Sequence, residues 1–295
     1  MLNKLYSAIA LLLIATPCWA DLPLTIEDLL TEKQEFRLEL GLNYANSDRN
    51  NVNTRFDLVQ TGTGNFVLLP VDVSNQRQNS DILALTLGAR YGITAKTELY
   101  SRLTATADDV RTQNGNETDS NSSQQLNDLV LGVNHQFSAD NDTPALLGFA
   151  EISLAENTAT DKSDFVHGKT GQIGFTTYRS IDPVVLSLTA GYRYAASRDV
   201  NGQSVNPGDL LFINPSLGFA INNEVTVTGG VQFKFRGKDK VDGNGVGIRT
   251  SQTDLDFGVG YAASEKLTLN FSIRADISSD NGAQAGFNVL YKFGE

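Results

Sequence analysis

The stretch Ala-Gln-Ala-Gly-Phe-Asn-Val-Leu-Tyr-Lys-Phe (283–293) near the end of the chain decides the fold. Its odd positions are apolar and end in Tyr291 and Phe293, whereas its even positions are small or polar apart from Leu290. Successive side chains of a β-strand point to opposite faces, so the stretch predicts a strand with one apolar and one polar face. About ten residues of such alternation match a tilted strand that crosses a bilayer.

The same alternation recurs along the chain and predicts about twelve strands. The connections between them alternate between short ones (92–97, 138–143, 180–183, 222–224 and 262–266) and long polar ones (45–81, 108–126, 156–168, 195–208, 236–252 and 277–282). Short turns at one end, long loops at the other and an even strand number are typical of outer-membrane barrels. We therefore expect an all-β fold, a transmembrane antiparallel up-and-down β-barrel over residues 35–295. Pro215 lacks a backbone donor and predicts a bulge or local break in its strand.

The first twenty residues have the features of a secretory signal peptide. Lys4 supplies a positive charge, residues 8–15 form a short apolar core, and Cys18 and Ala20 place small residues at −3 and −1 of the cleavage site. The apolar core is too short for a membrane-spanning helix, which needs about 20 apolar residues. We expect cleavage after residue 20, which removes the only Cys, and a location in the outer membrane of a Gram-negative bacterium, surrounded by outer-membrane lipid.

Composition and motifs exclude several classes of function. The formal net charge of −11 argues against nucleic acid as a partner. His135 and His167 have no companions at metal-ligand spacing, and no nucleophile, base and orienting group fall together. We therefore expect no catalytic residues, no metal site, no cofactor and no enzyme activity.

Polar side chains on the strands are expected to line the lumen if the apolar ones face lipid. The candidate constriction residues are Arg37, Glu39, Arg90, Glu98, Arg102, Arg193, Lys234, Asp254, Asp256, Arg274 and Lys292. If the two hairpins pair symmetrically about residues 94 and 264 in their tight turns, Arg90 lies opposite Glu98 and Asp254 lies opposite Arg274. Such residues either form a charged constriction that selects solutes or pair across strands and close a narrow lumen. A barrel of about eight strands has an interior filled by side chains, and one of about sixteen or more encloses an aqueous channel. A barrel of about twelve strands lies between these sizes, so both interpretations stay open.

Residues 21–34 predict a short N-terminal helix before the first strand. Its candidate residues are Thr25 as the cap, Ile26, Leu29 and Leu30 on one apolar side, and Glu27 and Asp28 in the first turn. Because this segment precedes the first strand, it is expected at the periplasmic end of the barrel. We interpret it as a plug or gate, with a mobile periplasmic leader as the alternative.

Residues 83–100 (Leu-Ala-Leu-Thr-Leu-Gly-Ala-Arg-Tyr-Gly-Ile-Thr-Ala-Lys-Thr-Glu-Leu-Tyr) combine a strand, a Tyr-Gly turn and a Glu-Leu strand. This run resembles the outer-membrane family named for the meta-pathway of phenol degradation, and the similarity covers most of the barrel. The resemblance implies a transporter-like barrel for hydrophobic or aromatic compounds. The export pore of functional-amyloid systems looks similar too, and that resemblance implies a twelve-stranded barrel with an N-terminal helical plug, which residues 25–30 fit.

Three functions stay open at this point. The first is a channel for small solutes, including hydrophobic or aromatic ones. The second is an export pore for a secreted, amyloid-like polypeptide, and the third is a largely closed barrel whose loops serve adhesion or surface structure. The partner is accordingly a small-molecule solute or a secreted polypeptide, and a homo-oligomer is compatible with each function.

Overall fold

The computed structural model describes residues 30–50, 54–62, 65–72, 77–114, 117–157, 165–200, 202–278 and 282–294. Twelve strands form the barrel: β1 (Phe36–Asn50), β4 (Arg77–Thr94), β5 (Thr97–Asn114), β6 (Glu117–Ser138), β7 (Ala145–Asn157), β9 (Thr170–Ile181), β10 (Val184–Ala195), β13 (Leu210–Ala220), β14 (Val225–Arg236), β17 (Thr250–Ser264), β18 (Leu267–Asp276) and β19 (Ala283–Phe293). The other strands lie in the long connections: β2 (Thr54–Gly62), β3 (Asn65–Asp72), β8 (Phe165–Val166), β11 (Arg198–Val200), β12 (Gln203–Asn206), β15 (Asp239–Val241) and β16 (Asn244–Val246).

The described residues contain no α-helix, and therefore none that is long and apolar enough to cross a bilayer. The predicted plug residues Thr25, Ile26, Glu27, Asp28 and Leu29 lie outside the described residues, as does the expected signal peptide. Leu30 is described and occupies a bend before β1. The predicted helix therefore does not extend over residues 30–34, and its part over residues 21–29 stays a prediction.

The barrel is closed by antiparallel pairing of the last strand with the first. β19 pairs with β1 in the register Phe36↔Phe293 and Arg37↔Lys292, and β6 and β7 complete the circuit on the other side. Every neighbouring pair in the barrel is antiparallel, so no ladder edge is left open. The prediction of an all-β barrel of about twelve strands is confirmed.

The outer face of the barrel wall is apolar and its inner face is polar, as a membrane-spanning barrel requires. Leu87 on β4 is 52% exposed on the outer face, whereas its chain neighbour Thr86 is 1% exposed and points inward. On the outer face, where β1 begins and β19 ends, the Phe36 and Phe293 rings lie 5.8 Å apart across the closing strands. An apolar outer band with aromatic residues at its edge is the surface that a bilayer accepts.

The two ends of the barrel differ in the length of their connections. At one end, which we call the short-turn end, β4 and β5 are joined by residues 95–96, and β17 and β18 by 265–266. At the opposite, long-loop end, the prediction that 108–126 is a loop was wrong, because β5 and β6 continue as a paired ribbon as far as Asn114↔Glu117. Antiparallel backbones can pair beyond the membrane whatever their side chains, so polar sequence there did not indicate a loop.

Two further sheets form at the long-loop end. β2 and β3 make a hairpin whose backbone approaches β10, which lies six strands from β1 in either direction around the barrel. The connection between β1 and β4 therefore crosses the long-loop mouth. A four-stranded sheet in the order β11-β12-β15-β16 joins two other connections, and Arg198 of β11 reaches inward to Glu156 at 2.9 Å.

Pro215 interrupts one ladder, as predicted. β13 and β14 pair at Ile213↔Phe233 and again at Ser216↔Gly230, whereas Asn214 and Pro215 have no partner on β14. The register is the same on both sides of the gap, so the proline produces a local break and no bulge.

Candidate functional site in the barrel lumen

The structure places all the predicted constriction residues on inward-facing positions of the barrel wall. They are Arg37 and Glu39 on β1, Arg90 on β4, Glu98 and Arg102 on β5, Arg193 on β10, Lys234 on β14, Asp254 and Asp256 on β17, Arg274 on β18, and Lys292 on β19. Their role in selecting solutes stays a prediction. Their contacts divide them into separate networks at different heights of the lumen.

The first network lies near the short-turn end and centres on Arg90. Its Nε lies 2.6 Å from Glu39 Oε1, and its Nη1 lies 2.8 Å from Glu98 Oε1. Asn134 Nδ2 donates to the same Glu98 oxygen at 2.6 Å. All of these side chains are buried, so two carboxylates share one guanidinium in a poorly hydrated part of the lumen.

The predicted contact between Arg90 and Glu98 is present, but the predicted register is not. The residue opposite Arg90 is Tyr100, and Glu98 lies opposite Gly92. The pairing is centred on residue 95, one residue beyond the assumed centre at 94, and this displaces each partner by two residues. Arg90 still meets Glu98 because a long side chain reaches a diagonal neighbour.

A second network joins β14, β17 and β18. Lys234 Nζ lies 2.5 Å from Asp254 Oδ2, and Arg274 Nη2 lies 2.6 Å from Asp256 Oδ2. The predicted pairing of Asp254 with Arg274 was therefore wrong, since Asp254 lies opposite Asp276. The pairing of β17 with β18 is centred on residue 265, one residue beyond the assumed centre at 264, and this displaces each partner by two residues.

Tyr100 links the first network to a third. Its hydroxyl donates to Glu151 Oε2 at 3.1 Å, and the Arg90 guanidinium lies 5.6 Å from its ring centroid. Arg102 approaches Glu151 at 3.6 Å and Asp128 at 3.9 Å. Tyr100 was not among the predicted site residues, although its place between Glu98 and Arg102 on the polar face of β5 is a signal that could have identified it.

Gly132 on β6 makes room for the Tyr100 ring. A Cβ added at Gly132 would lie 2.1 Å from Tyr100 Cζ, so any larger residue must displace the ring. We expect Gly132→Ala to lower the free energy of unfolding by about 1–3 kcal/mol, as overpacking commonly does. Urea-induced unfolding in lipid vesicles measures this loss. Gly229→Ala is the matched control, since its Cβ would lie 3.8 Å from the nearest atom, in Phe257. Equal losses for the two variants would contradict the prediction.

The lumen also has an apolar wall that the sequence analysis missed. Phe149 on β7, Gly174 on β9, Gly191 on β10 and Phe212 on β13 lie opposite one another in a continuous cross-strand row. Added Cβ atoms would lie 2.3 Å from Phe149 Cζ at Gly174 and 2.4 Å from Phe212 Cζ at Gly191, so the two rings lie over the two glycines. Phe149 also packs against the buried Leu210–Phe212 cluster. We call these four residues the phenylalanine row.

A second apolar cluster lies at the short-turn end of the same wall. It consists of Ala145, Leu147, Tyr178 and Val185, and Leu30 packs against it. These inward residues were missed because β7, β10 and β13 carry adjacent apolar residues on both faces, as in Leu146 and Leu147. Alternation alone does not separate the two faces of such strands.

Residues 30–35, which we call the strap, fold into the short-turn end of the barrel. The Thr31 backbone N–H donates to Glu98 Oε2 at 2.7 Å, and the Gln34 N–H donates to the Gly92 carbonyl at 2.7 Å. A Cβ added at Gly92 would lie 1.9 Å from the Glu32 carbonyl oxygen, so this approach requires glycine. The strap therefore contacts β4 and β5 through hydrogen bonds and the apolar wall through Leu30.

The fold is similar to those of solved outer-membrane barrels. The COG4313 outer membrane channel from Pseudomonas putida F1 matches with a TM-score of 0.60 at 12% identity, over 95% of this chain and 100% of that one. The transport unit of the autotransporter AIDA-I from Escherichia coli matches with a TM-score of 0.53 at 8% identity, over 91% and 93%. The translocator domain of the autotransporter NalP from Neisseria meningitidis matches with a TM-score of 0.51 at 11% identity, over 91% of each chain.

No curated protein matches the sequence. A family model does, and it spans residues 33–293, which include every strand of the barrel. The chain therefore belongs to the family described as "Putative MetA-pathway of phenol degradation".

Proposed function

We propose that the protein is a channel that passes small solutes across the outer membrane of a Gram-negative bacterium. After cleavage of the signal peptide, the short-turn end would lie in the periplasm and the long loops outside the cell. The observation that carries the proposal is the division of the lumen into two walls. Charged side chains predominate on the inward faces of β1, β4, β5, β14, β17 and β18, whereas β7, β9, β10 and β13 carry the phenylalanine row, with Glu151 and Arg193 beside it.

This division favours solutes that combine an aromatic or other apolar body with a polar group. Phenylalanine rings offer flat apolar surface, and a solute that slides along them keeps its polar group towards the charged wall. Because carboxylates neutralise the cations in each network, the charged wall offers hydrogen bonds without strong attraction for either sign. A catalytic role is not part of the proposal, and the partners are outer-membrane lipid and a small solute.

The proposal includes closure of the short-turn end by residues 21–34. Its support comes from the strap, in which Thr31 is 1% exposed and bonds to Glu98 while Leu30 packs on the opposite wall. A segment held on both walls obstructs the path between them. The inward side chains of the first network are also buried, so the lumen in this state is narrow.

Release of the strap is expected to open the channel. Deleting residues 21–33 should raise the single-channel conductance or the open probability in planar bilayers. Leu30→Asp should act in the same direction, because it places a charge against the apolar cluster. As an independent readout, a Thr31→Cys protein should react slowly with a water-soluble maleimide, and adding Leu30→Asp should speed the reaction; processed protein has no other Cys.

Lys96→Cys lies on the exposed turn between β4 and β5 and should react quickly in both backgrounds. If the barrel conducts but strap release changes nothing, the plug is wrong and the channel stands. If no variant conducts although labelling shows release, the protein is a closed barrel with surface loops, an alternative that the burial of the charged lumen residues favours.

A further inference from the structure

The inner wall at the long-loop mouth is covered on the side of β1 and β4. Ser47 on β1 is 2% exposed, and Ser80, which lies opposite it on β4, is 1% exposed. The next inward pair, Ala45 and Ile82, is buried as well, whereas the outward Leu83 is 43% exposed. Short side chains such as these do not fill the open end of a twelve-stranded barrel by themselves. Another segment of the chain therefore covers them.

The opposite side of the mouth is covered in the same way. Ala195 at the end of β10 and Leu210 at the start of β13 face inward and are buried. Together with Ala45 and Ile82 they place apolar inward residues on two facing walls of the mouth. The space between these walls suits a segment that is apolar on both of its sides.

The β2–β3 hairpin is in the right place to be this segment. It belongs to the connection that leaves β1 and returns to β4, so it starts from one of the two walls. Cα atoms of β2 lie within 8 Å of Cα atoms of β10, on the other wall. The hairpin therefore extends across the mouth from one wall to the other.

The hairpin is also apolar on both faces. Residues that pair directly across two strands share a face, and the register pairs Leu58 with Leu68 and Val59 with Val67. A two-stranded hairpin is at best marginally stable alone in water, and this one needs apolar cover on both sides. The mouth offers a wall to each face. The apolar residues are Phe56, Leu58, Phe66, Leu68 and Pro70 on one face, and Val59, Val67, Leu69 and Val71 on the other.

We propose that the β2–β3 hairpin, residues 54–72, is a lid that docks between the two walls and closes the long-loop end of the lumen. The strap obstructs the short-turn end, so the lumen has two closures in series, and a solute crosses only when both are open. The docking of the lid does not depend on conduction. Its role as a gate rests on the proposed channel function.

Cysteine labelling of the full-length processed protein in detergent tests the docking. Ser47→Cys is a small change at a buried position, and the thiol should react slowly with a water-soluble maleimide. Replacing residues 54–72 by a short Gly-Ser linker should speed this reaction about tenfold or more, because the thiol no longer waits for the lid to open. Ser120→Cys on the exposed part of β6 is the control and should react quickly in both backgrounds. The gel mobility of the folded barrel verifies that each variant has folded.

A point variant keeps the hairpin and tests the same contact. Leu58→Asp places a charge on an apolar face of the lid and should also speed the labelling of Ser47→Cys. Gln60→Asp adds the same charge on the same face, where a polar residue already stands, and should leave the rate unchanged. Two results would overturn the lid: a Ser47→Cys thiol that reacts as fast as Ser120→Cys in the parent, or one that stays equally slow after the hairpin is replaced.

Single-channel recording in planar bilayers tests the lid as a gate. Two closures in series predict that hairpin replacement and deletion of residues 21–33 together raise the mean current by more than the sum of their separate effects. A strap-deleted barrel that conducts equally with and without the hairpin would refute the gate. If labelling shows that the lid is displaced and no variant conducts, the docked lid stands and the proposed channel function fails.

Discussion

Arg90→Met is expected to lower the free energy of unfolding by about 3–5 kcal/mol, the usual cost of breaking a buried ion pair from one side. Arg90 contacts Glu39 at 2.6 Å and Glu98 at 2.8 Å, and all three side chains are buried. Methionine fills similar space without a charge, so two carboxylates would be left close together in a poorly hydrated lumen. Unfolding by urea in lipid vesicles, followed by the mobility shift between folded and unfolded barrel on gels, measures the loss.

Arg111→Met is the matched control for this prediction. Arg111 also contacts two carboxylates, Asp81 at 3.3 Å and Asp109 at 2.8 Å, but its side chain is 52% exposed at the long-loop end. Water and salt screen such a pair, and no measurable loss of stability is expected. Adding Glu98→Gln to Arg90→Met should restore part of the stability, since one uncompensated charge is removed. A loss for Arg111→Met as large as that for Arg90→Met would refute the role of burial.

Leu87→Arg is expected to lower the free energy of unfolding by about 2–4 kcal/mol, the cost of an arginine near the bilayer midplane of a barrel. Leu87 is exposed on the outer face and lies between Leu40 of β1 and Leu103 of β5. It lies midway along the apolar stretch of β4, so its charge could not easily reach either interface. The same unfolding experiment in vesicles measures the loss.

Ile93→Arg is the control for Leu87→Arg on the same strand and the same face. Ile93 lies beside the turn at residues 95–96, where arginine can extend to the interface, and a cost of about 0–1 kcal/mol is expected. Equal costs at Leu87 and Ile93 would show that the outer face of β4 does not cross hydrocarbon. In detergent alone, the difference between the two variants should shrink, because a micelle adapts to the charge.

Much of the fold could be predicted because apolar residues that face outward alternate with polar residues that face the lumen along each barrel strand, and this alternation is visible in the sequence. The stretch 283–293 became β19 with the expected bounds, and it pairs with β1 as a closing strand requires. Predicted inward residues such as Arg37 and Lys234 are inward because the period of two is strict within a strand. The resemblance of residues 83–100 to a phenol-pathway family also agreed with the family that the chain belongs to.

The strand register, which decides which residues lie opposite one another, could not be predicted as well as the strands and their faces. Both hairpins are centred one residue beyond the assumed turn centre, which moves each partner by two residues and leaves every side chain on its own face. Alternation is therefore insensitive to such a shift, whereas ion pairs depend on it. For this reason Asp254 meets Lys234, and Arg274 meets Asp256.

The sequence by itself determined the strands, their faces and the closed barrel, because each of these follows from the local period of apolar residues. Only the tertiary structure decided what meets inside the lumen. Phe149 and Phe212 come from strands far apart in sequence, and Leu30 reaches a cluster more than a hundred residues away. Such contacts depend on barrel closure and register, which bring together side chains that no local pattern relates.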